Sequence, residues 1–84
     1  MTSVALTTAE ADIRRLIAAV TRHSIDDVGD DDDLVAAVGI DSLQGLQVLA
    51  SVEKHFGIRL PDDELIHMRT IRTIADAVRT QEAR

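Results

Sequence analysis

Eighty-four residues, 45% of them hydrophobic but with Phe56 the only aromatic, are expected to make one domain (1–84) with an aliphatic core, and they exclude wholesale disorder. The absence of cysteine rules out disulfide staples, thiol nucleophiles and thiolate metal sites, so stability must come from packing. A net charge of −6 without aromatic platforms argues against nucleic acid; no apolar run has membrane-spanning length and the first basic residue is Arg14, so a cytoplasmic protein without membrane insertion is expected.

Residues 1–6 read as a loose leader. Thr7 and Glu10 fit a capping box, and Ile13, Leu16, Ile17 and Val20 then recur at helical spacing, which predicts a first helix over 7–22. Residues 23–40 read as a long connection. It holds a turn at Ser24–Val28, a break at Gly29, four acids at 30–33 and an apolar stretch at 34–38 closed by Gly39. Ile25, Val28, Leu34 and Val38 would pin it to the core.

Asp41 is a preferred cap and Gln44 is placed to answer it, so a second helix is predicted over 41–56 with Gly57 as its stop. At 100° per residue, Val48, Val52, Phe56, Leu49 and Leu46 share one arc, with Gly45 near its middle. Gln44, Gln47, Ser51, Lys54 and His55 lie opposite, and Leu43 is an apolar residue among them. Pro61 and the acids after it suit a short helix over 62–67. Thr70 would cap a last helix over 70–79, with Ile71, Ile74, Ala75 and Val78 as its apolar face and a frayed tail at 80–84. The expected fold is all-α: a small four-helix bundle, three helices substantial and one short, with a long first loop. Leu46, Leu49, Val52, Phe56, Ile71 and Ile74 should be buried together.

The acidic run does not follow calcium-loop spacing: Asp26 meets Val28, Asp30 meets Leu34 and Asp31 meets Val35. A solvated loop is expected there, and His23, His55 and His67 lack paired ligand spacing, so no metal site is expected. Ser42 follows the cap Asp41 at a helix start, where backbone N–H groups and the helix dipole favour anions. Read from physics alone, its hydroxyl is better explained as a capping group than as a point of phosphate attachment. A hydrolase reading of Ser42 fares worse still, because the motif is not Gly-x-Ser-x-Gly and no sheet is predicted to hold a nucleophile elbow.

Val38-Gly39-Ile40-Asp41-Ser42-Leu43 resembles the Gly-x-Asp-Ser-Leu motif of acyl carrier proteins. The likeness extends over nearly the whole chain: the acid-rich loop, Phe56 closing the second helix, Leu60-Pro61-Asp62, and Thr70-Ile71 opening the last helix. The resemblance implies that Ser42, beside its cap Asp41, receives 4′-phosphopantetheine from coenzyme A through a phosphopantetheinyl transferase. Acyl groups would ride on that arm as thioesters, and the carrier itself would catalyse nothing. A monomer is expected, serving acyl-loading, condensing and tailoring enzymes. The start at Met1 and the end soon after the last helix fit a free-standing carrier.

Family members often shelter the acyl chain inside the bundle. Gly45 invites that reading as a tunnel entrance, against the alternative that it lets another helix pack close. In fatty acid synthesis such carriers usually present acids along the second helix. Here the charges from Ser42 to Leu60 are Glu53, Lys54 and Arg59, a sum of +1. This departure turns the expectation from housekeeping fatty acid synthesis toward a polyketide or other specialised acyl pathway, with Leu43, Gln44 and Gln47 as partner surface. Two alternatives share parts of this reading: an aminoacyl or peptidyl carrier with the same cofactor, and a small helical interaction module anchored by Leu43 without a prosthetic group.

Overall fold

The computed structural model describes residues 9–61 and 67–82, and these contain four α-helices and no strand: α1 (Ala9–Thr21), α2 (Leu34–Val38), α3 (Ser42–Phe56) and α4 (Ile71–Glu82). The all-α bundle is as expected, with α1 packed against both α3 and α4. No helix among the described residues is long and apolar enough to cross a membrane.

Ile13 and Ile17 of α1 are fully buried, and the hydroxyl of buried Thr21 donates to the Ile17 carbonyl at 2.8 Å, so that polar group has a partner. Arg22 ends the helix in the left-handed region at φ 59°, its N–H still reaching the Ala18 carbonyl at 2.8 Å. Thr7 lies outside the described residues. Its expected capping partner Glu10 sends its carboxylate to Arg79 of α4, at 2.8 and 3.2 Å.

The long connection is pinned as expected: Ile25, Val28 and Leu34 are buried and Val38 packs against them. Two features differ from expectation. Residues 34–38 form α2, capped by the Asp33 carboxylate on the Val35 N–H and closed by Gly39 at φ 79°. Five residues are too few for a 3.6-residue period to show in the sequence. The acids are exposed or half-exposed, as expected of a solvated loop, but they are held in pairs and not left free. Asp30 pairs with Arg14 at 2.7 Å, Asp31 with Arg72 at 2.6 Å and Asp33 with Arg69 at 2.8 Å, while Asp32 accepts the Gly29 N–H. Two backbone bonds, Leu34 N–H to Arg69 carbonyl and Arg72 N–H to Asp30 carbonyl, fasten the same segment to the start of α4.

In α3, Val48, Leu49 and Val52 are buried and Phe56 is half-buried, its ring meeting His55 edge-on at 4.8 Å. Leu46 departs from the expected core: it is 56% exposed, because it sits at the edge of the apolar arc and no element among the described residues covers it. Gly57, at φ 67°, closes the helix. The Glu53 carboxylate then accepts the Leu60 N–H at 2.7 Å, which holds the following turn.

The expected helix over 62–67 lies outside the described residues, apart from exposed His67. Thr70 and Thr73 cap α4 reciprocally, each hydroxyl accepting the other's N–H at 3.0 and 3.1 Å. The buried face is Ile71, Ile74, Ala75 and Val78 as expected. The helix continues through Glu82 instead of ending at 79. Arg79 is tied to Glu10, and the Thr80 hydroxyl bonds the Asp76 carbonyl at 2.9 Å, so the expected fraying is absent through 82.

Candidate functional site

Asp41 holds an extended conformation at φ −89°, ψ 178°, and its Oδ1 accepts the Gln44 N–H at 2.8 Å while its carbonyl accepts the Gly45 N–H at 2.8 Å. This is the N-cap geometry that Asp favours. Among the described residues, the Gln44 side chain makes no return bond to Asp41, so only the forward half of the box forms.

With Asp41 as the cap, Ser42 is free of that duty. It is exposed, and its hydroxyl has no hydrogen-bond partner among the described residues. The two readings of Ser42 therefore separate. Ser42 is the first residue of a helix of 15 residues, whose leading N–H groups have no intrahelical acceptors and whose dipole favours negative charge. A phosphodiester on the Ser42 oxygen fits this position: it would be solvent-accessible and would sit beside those N–H groups.

Ser42 also borders a groove of about 680 Å³ between α2, α3 and the segment before α4. Such a volume falls within the roughly 300–1,000 Å³ typical of small-molecule clefts. Leu34, Val35, Ile40, Leu46, Val48, Leu49, Met68 and Ile74 make most of its lining, with Gly45 beside Ile40. A Cβ built on Gly45 meets only the Ile40 Cγ2, at 3.8 Å, so among the described residues no second helix approaches it. Among the described residues, close helix packing does not account for the glycine, and the position lines the groove.

Leu43 is 65% exposed, as expected, with Gln47 exposed and Gln44 half-buried. Leu46 and Val35, 48% exposed, extend the apolar surface across the groove. The helical wheel places Leu46 inside, and nothing in the sequence marks Val35 or Arg69 as groove residues, because their positions depend on how α2 and the segment before α4 dock. Arg69, the cation of the lining, donates through Nε and Nη2 to Asp33 at 3.0 and 2.8 Å. That contact holds the Asp33 carboxyl below its usual range and pushes the Arg69 guanidinium further up.

The family pattern described as a phosphopantetheine attachment site matches residues 11–78. An acyl carrier protein of Streptomyces coelicolor is 31% identical over 65 residues, covering 76% of this chain and 71% of that protein. Polyketide-8 synthase acyl carrier protein 2 of Streptomyces avermitilis is 32% identical over 60 residues, covering 71% and 69%. A non-reducing polyketide synthase of Emericella nidulans is 33% identical over 67 residues; the match covers 80% of this chain but 2% of that much longer protein.

Proposed function

The chain belongs to the acyl carrier proteins, which hold a phosphopantetheine arm, and we propose that Ser42 is the residue to which the arm is attached. The observation that carries this reading is the division of labour at the start of α3: Asp41 caps the helix and leaves the Ser42 hydroxyl exposed and unpartnered. A phosphopantetheinyl transferase would join the Ser42 oxygen to the phosphorus that carries the pantetheine of coenzyme A, with release of the nucleoside bisphosphate and of the hydroxyl proton. The arm supplies a thiol for thioester formation, which a chain without cysteine cannot supply itself. The roles left to the chain's own residues are binding and presentation. The Asp41 cap fixes the helix start, the leading N–H groups of α3 face the phosphodiester, and the groove shelters an acyl chain beside Gly45. No residue of this chain is assigned a catalytic step.

The acyl cargo in this reading belongs to a polyketide or other specialised pathway. Two observations support it: relatives that serve or form part of polyketide synthases, and an α3 outer face that lacks an acidic stripe. Loading, condensing and tailoring enzymes would dock on Leu43, Gln44 and Gln47, with Leu46 and Val35 adding apolar contact. Intact mass after incubation with coenzyme A and a broad-specificity transferase tests the assignment. One phosphopantetheine should be added to the wild type and none to Ser42→Ala. Modification persisting in Ser42→Ala, at Ser24 or Ser51, would overturn it.

A further inference from the structure

We propose that Arg69 is a specificity-determining residue of the groove, selecting tethered acyl chains that carry a carbonyl oxygen along their length over fully saturated ones. This rests on the reading that the groove shelters the cargo of Ser42. Beyond Asp41 and Ser42, where the arm would begin, the lining among the described residues is apolar except for Arg69. A saturated chain in such a groove gains nothing from a cation, whereas an oxygen on the chain offers the guanidinium an acceptor.

Arg69 is also held in place. Its carbonyl accepts the Leu34 N–H at 2.8 Å, its predecessor Met68 is buried, and Asp33 takes the Nε and one Nη2 position. Asp33 is itself fixed as the cap of α2. The other N–H groups of the guanidinium, on Nη1 and Nη2, have no partner among the described residues. A fork anchored on one edge and open on the other is a preorganised donor for an oxygen entering the groove. Because the Arg69 side chain is 56% exposed, water satisfies the open edge when no oxygen arrives, and the discrimination is the surplus of a preorganised, charge-assisted bond over a bond to water.

The experiment loads wild type, Arg69→Met and Asp33→Asn with octanoyl, 3-oxooctanoyl or 5-oxooctanoyl pantetheine by transferase. Each thioester's hydrolysis rate is compared with that of the same acyl group on free pantetheine. Asp33→Asn removes the ion pair but keeps a helix cap and an acceptor for Arg69, so it separates the clasp from the guanidinium. In Arg69→Met, protection of at least one oxo chain should fall about fivefold, the scale of a charge-assisted hydrogen bond at a half-exposed site, while octanoyl protection stays within about twofold. Asp33→Asn should keep the wild-type preference. Equal losses for oxo and saturated chains, no loss in Arg69→Met, or the same loss in Asp33→Asn would each overturn the proposal while leaving sheltering intact. If none of the three chains is protected in the wild type, sheltering itself fails and the role of Arg69 falls with it.

Discussion

Glu10 and Arg79, 69 positions apart in the chain, share a two-pronged contact at 2.8 and 3.2 Å that joins the start of α1 to the last turns of α4. The hydrogen bonds from Arg79, with help from the backbone, hold the Glu10 carboxyl below its ordinary value of 4.5. A carboxyl with a lowered folded-state pKa contributes stability that is fully present above the unfolded value and lost as pH falls through the folded one. Asp33 behaves in the same direction through Arg69. The midpoint of thermal unfolding, followed by circular dichroism, should therefore drop as pH is lowered below about 4.5, and the drop should be shallower in Glu10→Gln. Parallel profiles for the two proteins would show that the pair contributes nothing.

The core can be ranked by substitution. Ile17 is fully buried, so Ile17→Ala should cost about 2–5 kcal/mol. Phe56 is only half-buried, and Phe56→Ala should fall below the roughly 3–5 kcal/mol of a fully enclosed ring. Leu46→Ala, at an exposed site, should stay within about 0.5 kcal/mol. Urea denaturation of the three variants checks the order, and a large loss at Leu46 would mean that it is covered.

Gly45 should accept a small side chain. The added Cβ makes only ordinary contact with Ile40, so Gly45→Ala should stabilise the helix by about 0.5–1 kcal/mol. Gly45→Leu should leave phosphopantetheinylation of Ser42 intact but fill the groove, so a long acyl thioester hydrolyses faster. Unchanged hydrolysis in Gly45→Leu would place the cargo elsewhere.

Gly39 is the opposite case. Nothing lies within 4 Å of its missing Cβ, but its φ of 79° is left-handed. Gly39→Ala should cost about 1–2 kcal/mol despite the open space around it. A neutral result in thermal unfolding would mean that the end of α2 relaxes without loss.

Docking should depend on apolar contact more than on charge. Glu53 is a poor control for this, because its carboxylate holds the Leu60 N–H. Asp26 is exposed, and its carboxylate makes no ion pair among the described residues. Leu43→Ala should slow acyl transfer with a cognate enzyme more than Asp26→Asn does. Salt should matter little, since a Debye length of roughly 8 Å at physiological ionic strength already screens exposed charges. A steep salt dependence with Leu43→Ala near wild type would contradict this.

Much of the fold was legible in the sequence because its signals are local. Asp41 and Gly57 bound α3, Thr70 opens α4, and Ile13, Ile17, Ile71 and Ile74 mark buried faces, since caps and helical periodicity need only a few neighbouring residues. The Asp-Ser-Leu motif is a weak signal by itself and points to Ser42 only because it opens the second helix of a small acidic chain. Other features required the tertiary structure. Asp30, Asp31 and Asp33 find their arginines at positions 14, 72 and 69, and Glu10 finds Arg79, through pairings with no sequence period. Leu46 is apolar and in register with the core, yet exposed, because burial depends on whether another element covers that side of the helix. Arg69 borders the groove for the same reason: its place is set by the docking of α2 against the start of α4. Local chemistry chooses the helices and their ends, whereas the groove beside Ser42 exists only in the space that packed helices leave between them.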